Sequence, residues 1–91
     1  MIAQPHALEA THPLCFTHPG ETVKIVEIRG GRRLRKRLAD LGLNVGMAVR
    51  VIQGTHGGPM LLAFKGDARL AIGAGIAQKI LVAPEDTATP H

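Results

Sequence analysis

Three side chains with soft or borderline affinity for metals recur at three-residue intervals near the start of the chain. They are His12, Cys15 and His18, in the run His12-Pro13-Leu14-Cys15-Phe16-Thr17-His18. Two imidazoles and a thiolate suit tetrahedral zinc better than a hard, oxygen-preferring ion, with His56 or a second chain to complete the shell. Against a metal centre stand the absence of a Cys-x-x-Cys pair and the rigid His-Pro dipeptides at 12–13 and 18–19, which also form turns. On that competing reading Cys15 is a small buried hydrophobe beside Leu14, and the histidines are exposed. Cys15 with His12 or His18 has the outline of a nucleophile and base, but no oxyanion donor is evident nearby. The carboxylates Glu21, Glu27, Asp40 and Asp67 have no spacing that pairs them on one face, and no Gly-x-x-x-x-Gly-Lys phosphate loop occurs. The chain reads as a binding protein that requires no cofactor, not as an enzyme.

The second cluster is basic. Six of the eleven Lys and Arg residues, Arg29, Arg32, Arg33, Arg35, Lys36 and Arg37, fall within nine positions. Leu34, Leu38 and Leu41 are spaced i, i+4, i+7, the pattern of one helical face. At about 100° per residue, Arg32, Arg33, Arg35 and Lys36 then lie opposite the leucines and Arg37 borders them. Arg37 reads as a structural arginine, its methylenes on the domain and its guanidinium on a carboxylate or carbonyl. The other four are either a solvated face or a partner-binding one. Their placement favours binding: arginines crowd the first turn and Asp40 sits near the end, both against the helix dipole. Lys36 and Asp40 are also in the weaker i, i+4 order.

A net charge of +4 selects for an acidic partner, whether nucleic acid, anionic lipid or protein. Two Phe and no Trp or Tyr leave no rings for base stacking or polyproline recognition, so nucleic acid is disfavoured. Arg29-Gly30-Gly31-Arg32 is a single RGG-like occurrence. The longest apolar run, Met60 to Phe64, is far short of the roughly 20 residues of a spanning helix. The first residues have neither the basic nor the apolar region of an export signal, and one cysteine forms no internal disulfide, so a cytoplasmic chain without membrane insertion is expected.

The elements that must position these residues follow from periodicity. Residues 1–12 and 84–91 read as tails around a domain at 13–83. A first strand spans Thr22 to Arg29, with a parity switch between Ile25 and Val26 that signals a bulge. The helix follows over Arg32 to Leu41, with Gly30 or Gly31 at its start and Gly42 as its C-terminal cap. Met47 to Gln53 alternates as a second strand. Met60, Leu62 and Phe64, then Leu70 and Ile72, form a third and fourth joined by a hairpin at Gly66-Asp67. Gly73 to Gln78 suits a helical turn and Lys79 to Ala83 a fifth strand. The whole describes an all-β-dominated, small, partly closed SH3-like β-barrel of five strands. So small a core makes a homodimer plausible.

The ordered set Leu14, Gly20, Val23 to Ile28, Gly30-Gly31, Arg37-Leu38, Leu41-Gly42-Leu43, Gly46, Val49-Val51, Gly58-Pro59, Gly66, Leu70-Ala71-Ile72-Gly73 and Ala77 to Val82 resembles the ferrous iron transport protein A (FeoA) family. The resemblance runs from about Pro13 to Val82. It implies an SH3-like barrel, a cytoplasmic location and association with FeoB, a membrane transporter of ferrous iron with an N-terminal GTPase domain. It supplies no agreed catalytic or ligand residues, and His12, Cys15, His18 and His56 are not among its features. The family implies an accessory or regulatory role toward the transporter. Alternatives are a zinc- or iron-binding regulatory subunit and, further off, a small nucleic-acid-binding module.

Overall fold

The computed structural model describes residues 11–54 and 57–85. The elements are β1 (His12–Pro13), a 3-10 turn (Leu14–Phe16), β2 (Thr22–Ile28), α1 (Gly31–Asp40), β3 (Ala48–Gly54), β4 (Met60–Phe64), β5 (Ala68–Ile72), α2 (Ala74–Ala77) and β6 (Ile80–Pro84). All strand pairs are antiparallel, in the order β1-β6-β2-β3-β4-β5.

The SH3-like reading holds with one strand more than the five expected. His12 and Pro13 pair with Val82 and Leu81, so His12 joins the sheet instead of ending a tail. At the other end Pro84 pairs with Val23. The expected tails at 1–10 and 86–91 lie outside the described residues. No ladder joins β1 to β5, so the barrel is a curled, open sheet. Two bulges bend it. In β2 the register passes from Ile25↔Val82 to Glu27↔Leu81, leaving Val26 as the extra residue, where the parity switch predicts it. In β3 it passes from Val51↔Leu62 to Gln53↔Leu61, leaving Ile52 over. An extra residue bends and twists its strand, which lets a short sheet wrap a core.

The inward residues meet in one cluster. Leu14, Ile25, Leu43, Val51, Leu62, Ile80 and Val82 are fully buried, and Val23, Leu38 and Val49 nearly so. Phe64 pairs with Ala68, so the β4–β5 connection is the three residues Lys65 to Asp67, one more than the two-residue Gly66-Asp67 turn expected, and Lys65 and Gly66 carry positive φ, at 47° and 74°. Consecutive left-handed residues match the right-handed twist of the flanking strands.

The helix departs from its pattern at the end. Leu38 is buried and Leu34 half-buried, as the spacing predicts, but Leu41 is 48% exposed and Leu43 takes the inward place. The cause is the cap. Gly42 adopts φ 103° and donates its N–H to the Ala39 carbonyl at 2.9 Å, while the Leu43 N–H reaches the Leu38 carbonyl at 2.8 Å. These two bonds are the Schellman pair, which turns the chain after Leu41 and carries the residue beyond the glycine back toward the helix.

Candidate functional site

The basic face rests on α1, and α1 is held by three devices. Leu34 and Leu38 anchor it to the sheet, the Schellman turn closes its C-terminal end, and Gly30 opens it with φ 128°. A Cβ on Gly30 would lie 2.6 Å from Leu34 Cδ2, so the chain enters α1 where only glycine fits unshifted. Just before it, the Arg29 N–H donates to the Lys79 carbonyl at 2.7 Å, tying the helix entry to the approach of β6.

With the leucines inward, Arg32, Arg33, Arg35 and Lys36 are all exposed. Arg37 is exposed as well and has no hydrogen bond or ion pair from its guanidinium among the described residues, so it stands with the other four and not apart as an anchor. Among the described residues the ion pair is Arg29–Glu27, at 3.3 Å, and His18 Nδ1 lies 4.0 Å from Glu21 Oε1, a pairing that is ionic only when the imidazole is protonated. Arg29 is thus matched by Glu27 of β2, while none of the five helix cations forms an ion pair among the described residues, with Asp40 or any other carboxylate. The first turn has no acidic residue, and Gly30 offers no side-chain cap. The positive end of the helix dipole and the arginine charges therefore add in one place. Lys79 joins them: its side-chain Cδ lies 3.3 Å from where a Gly30 Cβ would be. No local spacing reveals that neighbour, because it arrives through the Arg29–Lys79 backbone bond.

The three metal candidates are dispersed. Side chains three residues apart line up in a 3-10 helix, yet only Leu14–Phe16 is of that kind. His12 is already in β1, half-buried, with Nε2 3.2 Å from the Thr17 hydroxyl. His18 follows an extended Thr17 and is exposed, its backbone N–H donating to Glu21 Oε1 at 3.1 Å. Cys15 is half-buried against the core. Among the described residues no three His, Cys, Asp or Glu side chains converge as a metal would require. His56 lies outside the described residues.

Cys15 and His18 share instead an open groove of about 480 Å³, walled chiefly by Pro13, Phe16, Pro19 and Met60. Phe16 is 65% exposed there, the most exposed large hydrophobe described. Sequence reading passes over this groove because its walls come from the start, middle and end of the chain.

The comparisons with known proteins agree with one another. The family model of the FeoA domain matches residues 12–84. A protein of Methanocaldococcus jannaschii named "Putative Fe(2+) transport protein A" is 38% identical over 71 residues, 78% of this chain and 84% of that one. The crystal structure of an iron uptake regulatory protein (FeoA) superposes with a TM-score of 0.75 at 32% identity, over 82% of this chain and 99% of the other. A manganese-dependent transcriptional repressor in complex with manganese also superposes at 0.75, at 20% identity. It covers 91% of this chain but 38% of the repressor, a likeness of fold alone. No helix among the described residues is long and apolar enough to cross a membrane. From β1 through β6, in sequence and in fold, this chain belongs to the FeoA domain family of ferrous iron transport proteins.

Proposed function

We propose that this chain is an accessory protein of ferrous iron uptake, which docks through the exposed face of α1 onto an acidic surface of the cytoplasmic, GTPase-containing part of a FeoB-type transporter. The observation that carries the reading is the set Arg32, Arg33, Arg35, Lys36 and Arg37, all exposed and none paired with a carboxylate among the described residues. Family membership supplies the process, and the helix supplies the surface. The role is binding and regulation at the cytoplasmic side of the membrane, not catalysis, and it needs no resident metal.

Complementary charge steers encounter and is screened by salt. Calorimetry against the purified cytoplasmic domain of the transporter, with and without ferrous iron, tests the reading directly. The triple variant Arg32→Glu, Arg33→Glu, Lys36→Glu weakens association by about tenfold or more. Unchanged binding by that variant sinks the docking face. If the acidic partner is a nucleic acid instead, filter binding to the wild-type chain falls steeply between low and physiological salt while the transporter domain fails to bind.

A further inference from the structure

Leu41 is a leucine without a structural task. It fits the helical period of Leu34 and Leu38, yet it is 48% exposed and Leu43 holds the inward place in its stead. The cap does not need it either. The apolar contact that accompanies a Schellman turn joins the residue after the glycine to one three before the cap, here Leu43 and Leu38.

The helix sets where Leu41 stands. Its N–H donates to the Arg37 carbonyl at 3.2 Å, so the helical register runs through it. Side chains four apart on a helix are neighbours, which makes Arg33, Arg37 and Leu41 one row. That row begins cationic and ends apolar. A second apolar side chain follows at the same end. The Met47 N–H donates to the Asn44 carbonyl at 3.3 Å and Gly46 takes φ 98°, the arrangement of a type II turn with Val45 at its corner. Val45 is 55% exposed. The turn is fixed to β2, since the Gly46 N–H reaches the Ile25 carbonyl at 2.7 Å and the Ile25 N–H reaches the Met47 carbonyl at 2.9 Å.

A lone exposed leucine is ordinary on a protein surface. Two large apolar side chains on fixed backbone, at the end of a cationic row, match the composition of an interface whose apolar centre has a charged border. Charge also decides how a partner lies across them. The arginines and the positive end of the dipole gather in the first turns of α1, whereas Asp40 comes just before Leu41. An acidic surface is drawn to the first end and turned from the second, so what meets the second end is apolar. We infer that Leu41 and Val45 form the apolar anchor of the docking face, seated in a hollow at the border of the partner's acidic patch, while the cations of α1 steer the approach. The inference rests on the docking reading above and adds to it which residues hold the complex and what the partner offers them.

The two parts of such a face act on different rates: charge at the border changes association and its salt dependence, and apolar contact changes dissociation. Surface plasmon resonance of the full chain against the purified cytoplasmic domain of the transporter, between about 50 mM and about 500 mM salt, separates them. Leu41→Ala with Val45→Ala speeds dissociation by about tenfold or more and leaves association within about twofold of wild type. Leu41→Met with Val45→Ile keeps the apolar surface and the wild-type dissociation rate. Phe16→Ala leaves both rates unchanged, because its groove reaches the Met60 end of β4 while Gly42 lies by Phe64 at the other. Should the double alanine variant melt below wild type, Leu41→Ala alone decides the matter. If the wild-type chain binds but its dissociation is unmoved by the alanine variants, or is moved equally by Phe16→Ala or by the Met and Ile pair, the inference is overturned and the docking reading stands. A wild-type chain that does not bind at low salt overturns both.

Discussion

The backbone N–H of Leu43 reaches over Gly42 to the carbonyl of Leu38 at 2.8 Å, and both leucine side chains are buried in one core. That bond sets where α1 stops and therefore which way its cationic face looks. Gly42 makes it possible with φ 103°, and a Cβ there would sit 3.0 Å from Cε2 of Phe64. Gly42→Ala is expected to cost about 1–3 kcal/mol, from backbone strain at positive φ plus the close contact with the Phe64 ring. Urea unfolding measures it, and a midpoint equal to wild type would show the turn to be dispensable.

The leucine pattern of α1 divides unequally. Leu38 is 1% exposed and Leu41 48% exposed. Leu38→Ala should cost about 2–5 kcal/mol, as burial is lost and a cavity remains. Leu41→Ala should stay within about 0.5 kcal/mol of wild type. Equal losses in thermal or chemical unfolding would mean that the helix is rotated from the orientation described.

Binding and stability should move in opposite directions on the basic face. Arg32 and Arg33 occupy a first turn without any acidic residue. Replacing each with Glu complements the dipole and is worth roughly 0.3–1 kcal/mol of helix stability at low salt. The same change weakens docking. A variant that melts higher than wild type yet fails to bind the transporter's cytoplasmic domain is the signature of a face kept for a partner. One that loses both has been unfolded, and one that gains stability without losing binding assigns the partner another surface.

For metal, the dispersal of His12, Cys15 and His18 leads to a clear expectation. Protein purified without tag or added metal should hold less than roughly a tenth of an equivalent of zinc or iron, and Cys15→Ser should leave that content unchanged. A full equivalent that disappears in Cys15→Ser would show that donors beyond this trio, such as His56 or a second chain, complete a site.

Much of this molecule is legible without coordinates. The β-branched run of β2, its bulge at Val26 and the alternations Met60-Leu62-Phe64 and Ile80-Val82 all declare themselves, because side-chain period reports which face is buried. The cationic stripe opposite Leu34 and Leu38 is legible for the same reason. Less legible is anything that depends on how the chain leaves an element. Leu41 fits the helical period but lies past the last helical residue, where the Schellman turn overrides the period and gives Leu43 the inward place. Lys65 carries positive φ without being glycine, so the hairpin loop takes in one residue more than its composition signal. His12 looks like a tail residue until Val82, seventy positions away, pairs with it.

What the sequence determined by itself was local: strand and helix periods, the excess of positive charge on one helix and the lack of aromatic rings. Each of these is written in side chains that are near neighbours along the chain. The tertiary structure decided which chemistry-bearing residues meet. It spread His12, Cys15 and His18 apart, because a strand, a 3-10 turn and an extended residue orient them differently. It left Arg37 beside the other cations with no carboxylate partner among the described residues, and it brought Lys79 to Gly30. It also assembled a groove lined by no Asp, Glu, Lys or Arg from the 3-10 turn, the end of β3 and α2. Such meetings depend on bulges, caps and long-range pairing, whose free energies come from contacts that no local window contains.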